Sequence, residues 1–442
     1  MTPPETPPAT LSDDFAGSMG ALFADSAPSA IGVAVSGGGD SMALLLLLHR
    51  WAQARGLALH VVTVNHGLRV EAAAEAALAG ALAQRLGHSH DIVSWTGWQG
   101  QGNLQDAARQ ARRRLIAAWA ASKQIEYVAL GHTEGDQAET VLMRLARGSG
   151  VDGLSAMSAR TEATEDSEGT GDTAGTPTTP VILRPLLGLS RAALRDFLRS
   201  ENQSWADDPS NEDLRFDRIK ARQILPQLAP LGIDAARLAD VAENMQDARA
   251  ALSFFAHEAA RDMARLDLGD VIFERRALAS LPAETRRRLL AHALRWISSA
   301  RYAPRRAKLA TLLEALQNGQ GATLHGCLCL AGEKEIRICR EYRAVEKLIT
   351  PAASSAQQPW DQRWLAAGSD TAGAELRALG AAGLAQCPDW RQTGRPRAAL
   401  LPAASLWQGD RVICCPATQI GEKSGITPRK SDIDFFAALL SH

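Results

Sequence analysis

Apolar and polar positions follow two alternating patterns along the first 150 residues of the chain. Short apolar runs are typical of buried strands, and each is followed by a longer segment with apolar residues at helical spacing. The predicted strands are Ile31–Val35, Leu59–Val64, His90–Val93 and Tyr127–Leu130, and the predicted helices are Met42–Ala54, Glu71–Leu86, Leu104–Ser122 and Gln137–Ala146. This order predicts an α/β fold with a doubly wound parallel sheet, in which ligands bind at the carboxyl ends of the strands.

Changes in composition indicate where this first region ends. Residues 161–180 are acidic, rich in Gly and Thr and free of large apolar residues, so we predict a disordered surface insertion. Apolar spacing from Ile233 to Ala260 predicts a long helix that leads into a second domain, and residues 351–359 have the composition of a linker. We therefore predict a flexible tail at 1–27, the α/β domain at 28–225, a helical domain at 226–350 and a small C-terminal domain at 360–442.

A glycine-rich loop follows the first predicted strand and is suited to phosphate binding. Glycines let the backbone approach an anion, and the free amides at a helix start point toward it. The loop lacks the lysine of the common ATPase loop and has Asp40. Because a carboxylate repels phosphate unless a cation lies between them, we interpret Asp40 as a Mg²⁺ ligand in a Mg-ATP site. The alternative is a tight turn without a ligand. The predicted ATP-binding residues are Ser36, Gly37, Gly38, Gly39, Asp40 and Ser41.

The loop resembles the signature of the N-type ATP pyrophosphatases, whose fold is adenine nucleotide alpha hydrolase-like. Three more segments extend this likeness, namely residues 65–69 (NHGLR), 132–140 (HTEGDQAET) and 184–187 (RPLL). Together the segments resemble the tRNA(Ile)-lysidine synthetase family. The resemblance implies an AMP-forming, ATP-dependent ligase that joins free lysine to carbon 2 of the wobble cytidine of tRNA(Ile) with a CAU anticodon, through an adenylated intermediate.

The chemistry of such a reaction suggests the remaining site residues. Charge that develops on the α-phosphate needs a cation, and Arg112 on the third predicted helix is the candidate. The alternative is that Arg112 is only an arginine on the helix surface. Asp136 and Glu139 lie one helical turn apart and can pair with an ammonium, and the resemblance assigns them to lysine binding. They can also simply stabilise a helix start. His132 follows a strand and is a candidate catalytic residue that contacts the nucleotide or relays a proton, with a purely structural histidine as the alternative.

Two segments depart from the pattern of the family. Glu134 and Gly135 precede Asp136, where the family commonly has a second aspartate, so the role of that aspartate is open. Residues 216–220 (FDRIK) replace the family's Arg-Asn-x-Ile-Arg. A phosphate-binding arginine can therefore be Arg215, Arg218 or Arg222.

Charge and aromatic residues point to RNA at one place in the chain. The formal net charge of −1 is uninformative, since phosphate contacts are local. Residues 271–350, however, contain 15 Lys plus Arg against 7 Glu, and Trp296 and Tyr302 lie among them. We expect a tRNA-binding surface there, with a solvated helix face as the alternative. Its basic residues are Arg286, Arg287, Arg288, Arg301, Arg305, Arg306 and Lys308.

The cysteines exclude two related classes of enzyme. All six lie beyond residue 326, whereas tRNA thiolases and glutamine-dependent ligases need cysteines at or near the reaction. No paired CxxC motif supports zinc, so buried thiols are expected. The chain has neither a secretory signal nor an apolar run long enough to span a bilayer, and we expect a soluble cytoplasmic protein without membrane contacts.

Two alternatives to a lysine ligase stay open. A related ligase with a small-molecule acceptor would turn over ATP without RNA and would not need the basic region. A tRNA-binding protein that uses ATP only as a conformational ligand would tolerate Asp136→Asn and Glu139→Gln.

Overall fold

The computed structural model describes residues 10–23, 28–67, 72–96, 98, 104–161, 180–207, 217–300, 302–367, 373–421 and 425–440. The chain divides near Arg249 into two compact units. Several predicted features lie outside the described residues, namely almost all of the insertion at 161–180, Leu68, Arg69, Arg215 and Arg301.

The first unit is built on a six-stranded sheet with the order β3-β2-β1-β4-β6-β5, in which only β5 is antiparallel to its neighbour. Its strands are β1 (Ala30–Ala34), β2 (Ala58–Asn65), β3 (Ser89–Ser94), β4 (Tyr127–Leu130), β5 (Arg160–Thr161) and β6 (Val181–Leu183). The strand order reverses between β1 and β4, so their carboxyl ends open a crevice. The predicted α/β fold with a mostly parallel sheet is confirmed.

Helices cover both faces of this sheet, as the two-sided burial of its strands requires. One face buries Ile31 and Val33 against the apolar side of α2, and the other buries Ala34 and Val62 against Trp119 of α4. The helices up to the division of the chain are α1 (Leu11–Leu22), α2 (Gly39–Gln53), α3 (Ala72–Arg85), α4 (Leu104–Ser122), α5 (Glu134–Ala146), α6 (Val151–Leu154), α7 (Arg191–Ser200), α8 (Asp217–Leu228) and α9 (Ala235–Met263).

Helix α1 corrects the predicted flexible tail. Thr10 and Asp13 form a capping box at its start, and its apolar face buries Phe15 and Met19 in the main core of the first unit. Capping and burial together hold a helix of this length in place. The prediction was wrong for this segment because polar residues surround a short apolar stripe.

The described residues of the second unit form helices and three sheets. Its main sheet has the order β7-β8-β11-β10-β9 and is antiparallel throughout. The strands of the unit are β7 (Ala264–Asp267), β8 (Asp270–Glu274), β9 (Ala322–Leu324), β10 (Cys327–Ala331), β11 (Glu335–Arg340), β12 (Ile349–Pro351), β13 (Trp364–Ala366), β14 (Glu375–Ala378), β15 (Ala404–Gln408), β16 (Arg411–Cys414) and β17 (Ile426–Pro428). Its helices after α9 are α10 (Arg275–Ser280), α11 (Ala283–Ser298), α12 (Arg306–Gln317), α13 (Tyr342–Val345), α14 (Gly380–Ala385), α15 (Arg397–Leu400) and α16 (Asp432–Ala437).

Two expectations for this part of the chain differ from the structure. The stretch predicted to be helical carries the five-stranded sheet, whose strands of three to six residues are too short for a strong period in the sequence. The predicted linker is packed, since Ala352 and Ser355 are buried and the Ser355 hydroxyl accepts from the Ala366 N–H at 2.9 Å. All six cysteines are buried in this unit as free thiols.

No helix within the described ranges is long and apolar enough to cross a membrane.

Candidate active site

The glycine-rich loop between β1 and α2 is held in shape by its two serines. The hydroxyl of Ser41 donates to the carbonyl of Gly38 at 2.9 Å and accepts from the N–H of Ser36 at 3.1 Å. The two serine hydroxyls lie 3.2 Å apart. Helix α2 starts at Gly39, so its first amides face the loop without partners from the helix itself. The loop is therefore preformed to accept an anion, and Ser41 contributes mainly to its geometry.

Close contacts explain two glycines in this region. Gly37 has a φ of +88°, and a Cβ there would lie 2.7 Å from the carbonyl oxygen of Glu75. A Cβ on Gly131, directly after β4, would lie 3.2 Å from the backbone carbonyl of Asp40. Because the segment after β4 packs against the loop after β1, the two motifs meet in one crevice, although about 90 residues separate them.

Arg191 connects three carboxylates that were predicted as site residues. Its Nε donates to Asp40 Oδ2 at 3.1 Å, its Nη2 to Asp136 Oδ1 at 2.7 Å and its Nη1 to Glu139 Oε1 at 3.0 Å. Each nitrogen of the guanidinium thus binds a different acidic residue. The structure therefore brings the predicted metal ligand and the predicted lysine-binding pair within the span of one side chain.

Asp136 also has the structural role that was weighed as its alternative. Its Oδ2 accepts from the N–H of Thr133 at 2.8 Å and completes a capping box at the start of α5. Its Oδ1 faces Arg191. One oxygen fixes the carboxylate and the other is presented to a cation, so capping orients Asp136 for binding.

Glu139 is the most buried of the three carboxylates, with 2% of its side chain exposed. Besides Arg191, it receives Nε of Arg222 at 2.8 Å on Oε1, and Nε of Arg218 lies 3.6 Å from Oε2. Both additional arginines belong to α8. Of the three arginines that the sequence offers for phosphate binding, Arg218 and Arg222 lie in the described part of the chain, and both face Glu139.

The charges of this cluster depend on one another. Burial raises the pKa of Asp40 above its ordinary value, and Arg191 opposes the rise. Burial also acts to raise the pKa of Asp136, but Arg191 and the Thr133 N–H outweigh it, so this pKa is lowered. Burial acts to lower the pKa of Arg191, but the three carboxylates outweigh it and raise the pKa. Arg191 is therefore a permanent cation.

A second group of side chains near His132 is cationic. Burial lowers the pKa of Arg112. Burial, and then Arg113 and Arg109, lower the pKa of Arg184 to about 10, and its Nε is buried without a partner within the described part of the chain. Such a group of partly buried cations is suited to an anion.

His132 is neutral in this environment. Burial, followed by the charge of Arg184, lowers its pKa to about 3, and Arg112 and Arg218 act in the same direction. Its Nδ1 is buried and has no hydrogen-bond partner in the described ranges. In the ligand-free protein His132 therefore offers a neutral ring to a ligand, and proton relay by this histidine near pH 7 would require a bound anion to raise its pKa.

Sequence reasoning missed Arg191 and Arg184. Arg184 lies in the RPLL segment that contributed to the resemblance, but no role followed from it. Arg191 is the first residue of α7, directly after the capping residue Ser190. A positive charge at a helix start is unfavourable, so an arginine there was a signal that an acidic partner compensates it.

The arginine run of the second unit is partly structural. Arg287 and Arg288 pair with Glu284 on the same helix, and Arg286 donates to the carbonyl of Ala279 at 3.1 Å. These contacts hold the three arginines within the second unit, and none of them is fully exposed, so the run is not a freely solvated helix face.

The two aromatic residues of this stretch differ in their exposure. Trp296 packs edge to face against Phe435, with ring centroids 5.4 Å apart, and Lys430 lies over its ring. Tyr302 is 69% exposed. Tyr302 is therefore the better placed of the two to stack on a base, and tRNA binding here stays a prediction.

The chain matches a family model, curated proteins and a solved structure. A family model described as a PP-loop domain matches residues 11–228. The chain is 49% identical over 429 residues to a tRNA(Ile)-lysidine synthase from Ruegeria pomeroyi, a match that covers 97% of this chain and 98% of that protein. It is 42% identical over 285 residues to a protein of the same name from a Bradyrhizobium species, covering 62% and 75% of the two chains. A U34-tRNA thiolase from Methanococcus maripaludis is 14% identical with a TM-score of 0.43 over 53% of this chain and 78% of that one.

Proposed function

The chain belongs to the tRNA(Ile)-lysidine synthase family, and from this premise we propose that the crevice around Arg191 is where it joins lysine to tRNA at the expense of ATP. The observation that carries the proposal is the set of three bonds from Arg191 to Asp40, Asp136 and Glu139. A ligase of this kind must bring an amine to a nucleotide-activated acceptor. The carboxylate beside the phosphate loop and the carboxylates suited to an amine meet here.

We assign the 36–41 loop and the group around Arg112 to ATP. The loop offers backbone amides at a helix start, which would hold the pyrophosphate part of ATP. Burial lowers the pKa of both Arg112 and Arg184, and Nε of Arg184 is buried without a hydrogen-bond partner among the described residues, so this group is suited to a charged α-phosphate. The cytidine oxygen at carbon 2 would attack the α-phosphorus, and the bond to pyrophosphate would break.

Asp40 fits the role of a Mg²⁺ ligand. Its side chain is about one quarter exposed, it lies in the first turn of α2 beside the loop, and its Oδ2 already accepts from a cation, Arg191. A carboxylate oxygen is a ligand that Mg²⁺ prefers. When bound, the metal would neutralise charge on the departing phosphates.

Asp136 and Glu139 would hold the incoming lysine. They are fixed by the helix cap and by the arginines of α8, so an ammonium would meet oriented acceptors. The ammonium must give a proton to water before the amine attacks carbon 2 and displaces AMP. The nearby cations Arg112 and Arg184 would assist, because positive neighbours lower the pKa of an amine.

The proposed acceptor is the wobble cytidine of tRNA(Ile) with a CAU anticodon. The test follows AMP release from labelled ATP with Mg²⁺, in the presence and absence of lysine and of tRNA transcripts, with nucleoside analysis of the product. We expect AMP formation to require the CAU transcript of tRNA(Ile) and one lysine to enter its cytidine. Matched controls are the same transcript with uridine at the wobble position and a methionine tRNA with the same anticodon. Equal AMP formation without RNA would assign the site to another acceptor.

A further inference from the structure

One guanidinium occupies the place that the proposed lysine ammonium needs. All three nitrogens of Arg191 are engaged, with Asp40, Asp136 and Glu139 at 3.1, 2.7 and 3.0 Å. An ammonium bound to Asp136 and Glu139 would lie against this cation. Two positive groups cannot share such a small acidic site without strong repulsion, so lysine and Arg191 compete for the same carboxylates.

The surroundings allow Arg191 to leave. Its side chain is about one quarter exposed and starts at the first residue of a helix, with a flexible stem that can turn. Glu139 would keep Arg222 at 2.8 Å, and Asp136 would keep the N–H of Thr133 at 2.8 Å. Each carboxylate would keep a hydrogen-bond partner. Departure of Arg191 would therefore open the amine site without leaving an unpaired buried charge.

The bond from Arg191 to Asp40 connects this movement to the nucleotide. A cation bound at Asp40 would repel the guanidinium, and phosphate groups beside the loop would offer it the two-pronged acceptor that arginine prefers. Asp40 is thus the one member of the trio that belongs to the loop and not to helix α5.

From these contacts we propose that Arg191 closes the amine site in the free protein and that Mg-ATP draws it away from Asp136 and Glu139, so that lysine binds after the nucleotide. The inference rests on the proposed function, since it takes the 36–41 loop as the ATP site and the two carboxylates as the lysine site. Arg191 is a positioning residue in this scheme. It acts on lysine by releasing the acceptors and not by touching the reacting atoms.

The test measures equilibrium binding of labelled lysine to the full chain without tRNA, alone and with Mg²⁺ and α,β-methylene ATP. In the wild type we expect the nucleotide to tighten lysine binding about tenfold or more. In Arg191→Met, lysine should bind with the same affinity with and without the nucleotide. Arg147→Met is the matched control, because Arg147 is exposed and pairs at 3.2 Å with exposed Asp217, and it should keep the wild-type ratio.

Three outcomes separate the possible failures. Equal lysine affinity of the wild type with and without nucleotide would overturn the inference, and so would a wild-type ratio in Arg191→Met. If circular dichroism shows that Arg191→Met does not fold, Arg191→Lys replaces it, since a single ammonium cannot reach three carboxylates and should give a reduced ratio. Lysine that binds with the expected nucleotide dependence while the enzyme assay yields no lysidine would overturn the proposed function and leave the coupling intact.

Discussion

The Nε of Arg222 donates a 2.8 Å hydrogen bond to Oε1 of Glu139, a carboxylate whose side chain is 2% exposed. Helices α5 and α8 are joined through this bond, and Arg191 shares the same oxygen. Glu139 is therefore both a candidate ligand for lysine and a structural connection between elements of the first unit.

We expect Glu139→Ala to lower the free energy of unfolding by about 2 kcal/mol, because it leaves the partly buried Arg222 and Arg218 without this acceptor. Glu139→Gln should cost less, since the amide oxygen still accepts one bond. Urea unfolding at pH 7 measures both changes. Asp217→Ala breaks the exposed pair with Arg147 and should leave the unfolding free energy nearly unchanged. Equal costs for Glu139→Ala and Asp217→Ala would contradict the structural role of Glu139.

Asp40→Asn should reduce tRNA-dependent AMP formation by about 100-fold or more and weaken its dependence on Mg²⁺ concentration. The amide can still accept from Arg191, so the fold should persist. A Mg²⁺ titration of initial rates measures both effects. Asp196→Asn, at an exposed aspartate that pairs with Arg199, is the control and should behave as the wild type. An unchanged Mg²⁺ dependence in Asp40→Asn would remove the metal assignment.

Gly37→Ala and Gly38→Ala should differ although the two glycines are adjacent. Alanine at position 37 needs a φ of +88° and brings its Cβ to 2.7 Å from Glu75, so we expect a loss of about 2 kcal/mol of stability. Gly38 has a φ of −75°, and the nearest atom to its Cβ is 3.7 Å away. Thermal unfolding should therefore show a lower melting temperature for the first variant only. A comparable drop in both would refute the strain argument.

The stability of the protein should fall in acid because of His292. Burial lowers its pKa to about 4, although its bond to the carbonyl of Phe435 opposes the shift. The unfolded chain takes up a proton near 6.5, before the folded one, so stability is lost as the pH falls from about 6.5 to about 4, by up to about 3 kcal/mol. His292→Gln keeps a donor without this titration. Urea unfolding at pH 7 and pH 4.5 should show a smaller loss in the variant, and an identical loss would rule out His292 as the cause.

Phe15→Ala should cost about 3 kcal/mol, because Phe15 is buried in the main core of the first unit. Gly17→Ala on the same helix is the matched control, since a Cβ there meets nothing within 4 Å and alanine favours the helix by about 0.5–1 kcal/mol. Chemical unfolding of both variants measures the two effects. Wild-type stability in Phe15→Ala would mean that helix α1 does not pack on the core, as the predicted flexible tail requires.

The parallel sheet could be predicted because strands that are buried on both faces have continuous apolar runs in the sequence. Strand β4 and helix α4 match their predicted ranges, Tyr127–Leu130 and Leu104–Ser122. The short antiparallel strands of the second unit have no comparable sequence pattern, since three to six residues contain too few apolar–polar alternations to exclude a helix.

The acidic residues of the candidate site could be predicted from chemistry, but their common partner could not. Asp40, Asp136 and Glu139 stand out because phosphate and amine chemistry require carboxylates. Arg191 lies 151 residues from Asp40 and is placed by the packing of helix α7. Side-chain direction at that distance is set by tertiary structure, and a linear pattern does not contain it.

The placement of the cysteines has a consequence for how the protein responds to oxidants. Burial raises the pKa of Cys327 to about 12, and it raises the pKa values of Cys329, Cys339 and Cys415 as well. Peroxides react with exposed thiolates, so these sulfurs become vulnerable only when the second unit opens. The first 326 residues contain no thiol at all. Oxidation of the thiols would therefore report how often the C-terminal part of the chain unfolds locally.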